Sequence, residues 1–156
     1  MPQVSITLLD GRDPLTEDLA SRHAAAWGHL YTAWDKSKAL AEFRPQKTDG
    51  SLPATLVLRE DERVAGSVSL LYGDCEVRTD LDPWLGSLYV FPEFRGRGHA
   101  GRLIEAATRF AADAGVGELY VFTESAAGLL RLHDFHSLER TMLHGQPIEI
   151  LRCDLP

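Results

Sequence analysis

A glycine-rich segment near the middle of the chain reads Tyr89-Val90-Phe91-Pro92-Glu93-Phe94-Arg95-Gly96-Arg97-Gly98-His99-Ala100-Gly101-Arg102-Leu103. Strand-forming residues precede the glycines and a helical pattern follows them, so the segment predicts a strand that turns into a helix. The first turn of a helix presents unpaired backbone N–H groups and the positive end of the helix dipole. Glycines let the backbone approach a ligand because they carry no Cβ atom. The segment therefore predicts a binding site for a pyrophosphate group.

One interpretation of this turn is a dinucleotide-binding loop. Residues 96–101 match the pattern G-x-G-x-x-G, and Glu124 lies near the distance expected for a ribose-binding acid. In dinucleotide-binding folds, however, the strand leads almost directly into the first glycine, whereas residues 92–95 intervene here. Only about 55 residues follow the turn, too few for the remaining parallel strands and helices. We therefore disfavour the dinucleotide interpretation.

The sequence on either side predicts a mixed order of strands and helices. Periodicity predicts strands at residues 4–9, 55–59, 64–71, 84–91, 118–123, 138–143 and 148–153, and helices at 15–27, 31–43, 100–114 and 126–132. Two strand pairs are separated by short turns, the charged residues 60–63 and Gly145-Gln146-Pro147, and each pair predicts an antiparallel hairpin. The hairpins favour an α+β domain with a mostly antiparallel sheet over a doubly wound parallel sheet.

Composition narrows the class of protein. The 156 residues fit one domain spanning 1–156, and 44% hydrophobic with 25% charged residues is typical of globular chains. No apolar run is long enough to span a membrane and no leader is evident, so we expect a cytoplasmic protein without a membrane partner. A net charge of −7 argues against nucleic-acid binding. Cys75 and Cys153 are far apart, which predicts neither a metal site nor a disulfide framework.

The six residues Arg95 to Ala100 fit a known family signature: Arg or Gln, two residues, Gly, one residue, then Gly or Ala. With the strand before it, the amphipathic helix after it and the strand at 118–123, the chain resembles the GNAT superfamily of N-acetyltransferases. The resemblance implies a central sheet with helices on both faces, splayed beside the cofactor strand. It also implies transfer of an acetyl group from acetyl-CoA to a primary amine by direct attack in a ternary complex.

The resemblance assigns roles around the turn. The backbone of Leu88, Tyr89 and Val90 would bind the pantetheine arm and meet the developing oxyanion. The pyrophosphate would lie against Arg95, Gly96, Arg97, Gly98, His99 and Ala100, with Gly101 and Arg102 close by. The partner would be a small-molecule or peptide amine, and homodimers are common in the family. A non-catalytic module that binds acyl-CoA or serves protein interaction is the alternative.

The acceptor and proton-transfer residues are less well defined. Candidate bases are Asp82, Glu93, Glu124, His99 and His133, of which we select Asp82 and His133; turn formation and helix capping are their structural alternatives. Four aromatic residues are candidate substrate contacts, with core packing as the alternative: Trp27, Tyr31, Trp34 and Trp84. Nearby acids, Asp74 and Glu76 together with Asp80 and Asp82, form either an amine-attracting patch or a solvated loop.

One departure from the family pattern concerns the general acid. The helix after the fifth strand usually carries Leu-Tyr, with Gly four residues after the Tyr. Ungapped alignment of residues 122–141 puts Leu130 at the tyrosine position and Asp134 at the glycine position. The usual proton donor to the departing thiolate is therefore absent, and His133 or water would have to replace it.

Overall fold

The computed structural model describes residues 2–28, 30 and 35–156. Its strands are β1 Val4–Leu8, β2 Ala54–Glu60, β3 Arg63–Leu71, β4 Trp84–Val90, β5 Glu118–Thr123, β6 His136–Leu143 and β7 Gln146–Asp154. Its helices are α1 Leu15–Trp27, α2 Lys36–Phe43, α3 His99–Asp113 and α4 Ala127–Arg131. The strands and helices follow the predicted order along the chain.

The strands form one seven-stranded sheet in the order β1-β2-β3-β4-β5-β7-β6. Neighbouring strands are antiparallel except β4 and β5, which are parallel. The prediction of an α+β fold with a mostly antiparallel sheet is therefore confirmed.

Helices cover both faces of the sheet. On β3, Ser67 lies 3.4 Å from Nε2 of His23 in α1, whereas a Cβ atom on the adjacent Gly66 would lie 3.4 Å from Leu103 in α3. Because successive strand residues point to opposite faces, α1 and α3 lie on opposite sides of the sheet. On the apolar side of α3, Leu103, Ile104, Ala107 and Ala111 are fully buried, whereas Phe110 is half-buried.

Two-residue turns close both hairpins. Asp61 and Glu62 have φ values of 50° and 72°, and His144 and Gly145 have 48° and 78°. Positive φ at both central residues matches the turn whose twist suits an antiparallel pair. The predicted second turn at Gly145-Gln146-Pro147 was one residue too late, because His144 adopts the left-handed conformation and Gln146 already pairs with Leu143.

The predicted second helix, 31–43, is observed as α2 from Lys36 to Phe43. Asp35 caps it, since its side chain accepts a 2.9 Å hydrogen bond from the backbone N–H of Lys38. Residues 31–34 lie outside the described part of the chain.

In the ranges that the structure describes, no helix is both long and apolar enough to cross a membrane.

Candidate functional site

The sheet opens between its two central strands. β4 and β5 are paired in register only at Trp84 and Tyr120, and beyond that point they separate. A β-bulge in β4 accompanies the separation, because Ser67 and Ser69 of β3 face Tyr89 and Gly86, leaving one extra residue on β4. Ser87 within the bulge has a φ of 51°. β4 and β5 are therefore splayed apart, as the family resemblance implies.

A cavity of about 420 Å³ occupies this opening. Its walls come from α1, α2, the connection after β3, the middle of β4, the end of β5 with the segment that follows it, α4 and the turn at His144. Residues distant in sequence therefore meet in one place. The volume lies in the range of sites that bind small ligands.

The backbone of β4 offers hydrogen-bonding groups to the opening. The N–H of Phe91 donates to the carbonyl of Ala65 at 2.7 Å, so Phe91 faces β3. Because antiparallel strands alternate the direction of their polar groups, those of Val90 point toward β5. The carbonyl of Val90 accepts a 3.1 Å hydrogen bond from Nε of Arg95. Leu88, two residues earlier, lines the cavity.

The glycine-rich turn lies between β4 and α3. After a short 3-10 turn at Pro92–Phe94, Gly96 and Gly98 adopt φ values of 77° and 79°, and α3 begins at His99. Gly98, the N-cap residue of α3, has no side chain with which to cap the first turn. A Cβ atom on Gly96 would meet no heavy atom within 4 Å, so the surface here is open. An uncapped helix start with left-handed glycines fits an anionic group.

The basic side chains of the turn are bonded to the protein itself. The Arg95 guanidinium also lies 5.5 Å from the centroid of the Tyr89 ring. Nη1 of Arg97 donates to the Glu60 carboxylate, and Nη1 of Arg102 donates to the carbonyl of Arg97 at 2.7 Å. These contacts hold the shape of the turn.

Gly101 is explained by packing. A Cβ atom there would lie 3.1 Å from Nε2 of His133, closer than nearly all real contacts of this type. His133, a predicted catalytic residue, therefore lies against α3, with Nδ1 3.7 Å from Oε1 of Glu105. His133 is not one of the described residues that line the cavity.

Two carboxylates, those of Glu42 and Asp74, line the cavity. Oε2 of Glu42 in α2 accepts a 2.6 Å hydrogen bond from Oγ of Ser87, and Asp74 comes from the connection after β3. Both side chains are half-buried. A Cβ atom on Gly86 would lie 2.7 Å from Oδ2 of Asp74, so this glycine lets Asp74 approach β4.

Burial shifts the protonation of both acids. Burial and, to a smaller extent, the neighbouring charge of Asp74 raise the pKa of Glu42 to about 8, although the hydrogen bond from Ser87 opposes the rise. Burial and the charge of Asp82 raise the pKa of Asp74 to about 7. Among the residues that the structure describes, no basic side chain contributes to either shift. Carboxyl groups that titrate near neutral pH are suited to proton transfer.

Sequence reasoning missed Glu42 and noted Asp74 only as part of an acidic patch. A usable signal was Gly86, because a glycine inside a strand pattern indicates a bulge or a close approach of another group. Asp82, the other predicted catalytic residue, is exposed and accepts a 2.7 Å hydrogen bond from the N–H of Gly73. It does not line the cavity among the residues described, although its charge acts on Asp74.

The remaining candidate bases lie in different places. Glu124 lines the cavity. Glu93 forms a 3.3 Å ion pair with Arg22, outside the cavity lining. His99 is 3% exposed and bonds to Glu60 at 2.6 Å.

The predicted substrate aromatics also separate. Trp27 at the end of α1 lines the cavity and packs edge-on against Tyr89, with 5.4 Å between ring centroids. Trp84 is fully buried, packs against Tyr120 and Phe122, and donates from its indole N–H to the carbonyl of Leu81. Tyr31 and Trp34 lie outside the described residues.

Leu130 lies where the family pattern usually has a tyrosine, and it lines the cavity with 1% of its surface exposed. Its side chain carries no proton to donate. Asp134, aligned with the usual glycine, has a φ of 69°, a conformation that glycine adopts most easily. The backbone thus keeps the shape expected of a glycine although the residue has changed.

Three solved structures illustrate the similarity of fold. A candidate phosphinothricin N-acetyltransferase has a TM-score of 0.75 at 17% identity, with 99% of each chain covered. YncA from Salmonella typhimurium, a candidate acetyltransferase with its cofactor acetyl-CoA, has a TM-score of 0.70 at 18% identity, covering 98% of this chain and 94% of that one. Aminoglycoside 6′-acetyltransferase type Ii has a TM-score of 0.70 at 14% identity, with 96% of both chains covered.

No curated protein matches this sequence. The model of the acetyltransferase (GNAT) family matches residues 17–137, well over half of the chain. The chain therefore belongs to the acetyltransferase (GNAT) family.

Proposed function

We propose that this protein is an N-acetyltransferase that transfers the acetyl group of acetyl-CoA to a cationic primary amine in a ternary complex. One observation carries the proposal: the opening between β4 and β5 has an uncapped, glycine-rich helix start at one end and two carboxylates at the other. The first suits a pyrophosphate and the second suits an ammonium group. We further propose that residues 1–156 form one domain, since the sheet includes strands from both chain ends.

The cofactor end of the opening supports binding of acetyl-CoA. The first turn of α3 and the left-handed glycines at 96 and 98 leave backbone N–H groups open to phosphate oxygens. The polar backbone groups of β4 that face the opening would bind the pantetheine arm by adding a strand-like partner where β5 has separated. The cytoplasmic location predicted from sequence is consistent with this co-substrate and is part of the proposal.

Acetyl transfer forms a carbon–nitrogen bond between the amine and the thioester carbonyl carbon and breaks the carbon–sulfur bond, whose electrons leave with the thiolate. Negative charge develops on the carbonyl oxygen during attack. A backbone N–H of β4 that faces the opening, such as that of Val90, would stabilise this charge. Holding the two reactants together in the cavity would supply much of the acceleration.

Before it can attack, the ammonium group of the acceptor must lose a proton. We propose that Glu42 accepts this proton and that the negative charge is distributed over Glu42 and Asp74. Glu42 lines the cavity, Ser87 fixes its orientation, and its pKa of about 8 is far closer to neutral than that of an ordinary carboxyl. A base with such a pKa is efficient near neutral pH.

The walls of the cavity indicate the class of acceptor. Four acids line it, Glu42, Asp74, Glu76 and Glu124, against Lys38 and His144, and none of the described lining residues is an arginine. Glu76 pairs with His144 at 2.9 Å. An acceptor carboxylate would meet like charge here. We therefore propose an amine with a second positive charge and no carboxylate near its amino group, as in di- and polyamines.

The departing thiolate would leave without help from residue 130, because Leu130 has no proton to donate. A thiol has a pKa near ~8.5, so it can leave largely as the thiolate at neutral pH. Loss of the donor then slows the reaction without abolishing it.

Two measurements test the proposal. Acetyl-CoA should raise the melting temperature while NAD should not, because only a ligand of the native state stabilises it. Thiol release from acetyl-CoA should then be followed with three acceptors that each have a four-carbon chain: 1,4-diaminobutane, butylamine and 4-aminobutanoate. We expect kcat/KM to fall in that order, by about tenfold a step, the size of one charged hydrogen bond. If acetyl-CoA binds and no amine in a broad panel releases thiol, the non-catalytic binding module is the correct description.

A further inference from the structure

Glu60 is a buried carboxylate at the end of β2, and it contacts the glycine-rich turn from a different part of the sheet. It is 5% exposed. Its Oε2 lies 2.6 Å from Nε2 of His99, and its Oε1 accepts a hydrogen bond from Nη1 of Arg97. Glu60 therefore bonds to both residues that flank Gly98, whose φ is 79°. One carboxylate spans the position where the turn becomes a helix.

The hydrogen bonds determine where the protons lie. Nη1 of Arg102 is 3.0 Å from Nδ1 of His99, and arginine can only donate, so Nδ1 must accept. Nε2 of His99 then carries the proton and donates it to Glu60. His99 is thus held between the guanidinium of Arg102 and the carboxylate of Glu60. The hydrogen bond from His99 lowers the pKa of Glu60, which keeps the carboxylate ionised.

This network fixes the backbone of the turn. The carbonyl of Arg97 also accepts from Arg102 at 2.7 Å, so both side chain and backbone of Arg97 are bound. The guanidinium of Arg97 lies over the Phe94 ring, 5.4 Å from its centroid. Without these contacts, the glycines at 96 and 98 would leave the turn flexible, and that flexibility would have to be lost when a ligand binds. Contacts that remove it beforehand improve binding.

We infer that Glu60 is a positioning residue for the cofactor: it holds Arg97 and His99 so that the backbone N–H groups of the turn point at the pyrophosphate of acetyl-CoA. The inference rests on the proposed function, since it requires acetyl-CoA to bind at this turn. Glu60 does not line the cavity among the described residues. Its effect should therefore reach cofactor binding and not the chemical step.

Glu60→Gln tests this role at nearly constant shape. The amide oxygen can still accept from Arg97, but the amide nitrogen donates and would meet the N–H of His99. Moving the imidazole proton to Nδ1 would instead oppose it to Arg102. We expect the Kd and KM for acetyl-CoA to rise about tenfold, because a charged hydrogen bond is lost, while kcat at saturation changes less than about twofold. Glu62→Gln removes the same charge from the exposed turn beside Glu60 and should leave Kd, KM and kcat unchanged.

A shortened donor separates positioning from general damage. Acetyl-pantetheine has the same thioester but no pyrophosphate, so its kcat/KM should be equal in the wild type and in Glu60→Gln. A loss of equal size with both donors, or no loss with either, would overturn the inference. If wild-type protein binds no CoA, the proposed function falls and this inference with it; if it binds CoA and Glu60→Gln binds as tightly, only the inference falls.

The folded state of the variant is checked by its thermal transition. Should Glu60→Gln fail to fold, Glu60→Asp keeps the charge and withdraws the carboxylate by one methylene. It should weaken binding of acetyl-CoA and spare acetyl-pantetheine in the same way, and equal effects on both donors would again count against the role.

Discussion

The two ends of the opening between β4 and β5 are built differently. The proposed cofactor end consists mainly of contiguous residues, 95–102, and the groups proposed to bind the cofactor belong mainly to the backbone. The acceptor end brings together α1, α2, the connection after β3 and the turn at His144. A contiguous turn can be identified from sequence because its shape depends on local glycines. A site made of separate segments depends on the whole fold, so changes at the two ends should have separable effects.

The cofactor end should be the easier of the two to abolish. Gly98→Asp places a negative charge beside the pyrophosphate, and we expect affinity for acetyl-CoA to fall at least about 100-fold through repulsion between like charges. Aspartate tolerates the left-handed backbone better than most residues, so the variant should fold. Gly98→Asn has the same shape without the charge and should lose much less affinity. Calorimetric titration with CoA measures both, and equal affinities for Asp and Gly would remove this turn from the site.

The acceptor end should respond to Glu42→Gln. Loss of a general base typically slows a reaction ~10²–10⁴-fold, and we expect kcat/KM for the amine to fall about 100-fold. Affinity for acetyl-CoA should be unchanged, because Glu42 lies in α2 and not in the glycine-rich turn proposed to bind the pyrophosphate. Steady-state kinetics and titration with CoA provide the two readings.

Asp82→Asn is the matched control for that experiment. It removes an exposed carboxylate that does not line the cavity among the described residues, and the rate should change by less than about threefold. A large loss in Asp82→Asn together with an active Glu42→Gln would return the catalytic role to Asp82, as the sequence predicted.

Between the two ends, Leu130→Tyr tests the missing proton donor. A hydroxyl that reaches the departing sulfur should raise kcat up to about tenfold, less than full general-acid catalysis because thiolate is already a good leaving group. Leu130→Phe adds the same ring without the hydroxyl and should give no gain. If Leu130→Tyr also gains nothing while His133→Ala loses rate, the donor is His133 or a water that it orders.

The smallest effect concerns stability. The pKa of Glu42 is about 8 in the folded protein against 4.5 as an ordinary carboxyl, so between these values the folded state binds the proton more strongly. The free energy of unfolding should therefore fall as pH rises toward 8. His23, whose pKa burial lowers from 6.5 to about 3, acts in the opposite direction below pH 6.5. The difference between wild type and Glu42→Gln isolates the Glu42 contribution.

Thermal unfolding at several pH values measures that difference. Glu42→Gln should gain stability relative to wild type as pH rises from about 6 to 8. If the difference in free energy of unfolding between the two proteins does not depend on pH in this window, the pKa of Glu42 is not raised in the folded protein.

Local signals predicted most of the fold. The strand at 118–123 and the helix after the turn follow directly from periodicity, and the helical start after Gly98 follows from the glycines. The bulge at Ser87 was not predicted, because it depends on the register between β3 and β4. The turn at His144 was placed one residue late because Gly145 and Pro147 are stronger turn signals than histidine.

Side-chain roles were harder to predict than backbone structure. Glu42 and Glu60 give no sign in the sequence, since each acquires its partners from segments more than 30 residues away. Gly101 was assigned to the phosphate, yet its lack of a side chain is explained by the approach of His133. Trp27 and Trp84 were both candidate substrate contacts, but Trp84 is fully buried at the start of β4, whereas Trp27 at the end of α1 lines the cavity.

The most direct test of the account follows the acetyl group itself. Acetyl-CoA labelled with ¹³C in the acetyl carbonyl should be incubated with the protein and 1,4-diaminobutane, and the products should be identified by NMR and mass spectrometry. We predict a labelled amide on the diamine, formed in equal amount to free CoA and formed about 100-fold more slowly when Glu42 is replaced by Gln. Binding of acetyl-CoA without label in any amine of a broad panel would contradict the account and leave a protein that binds the cofactor but transfers nothing.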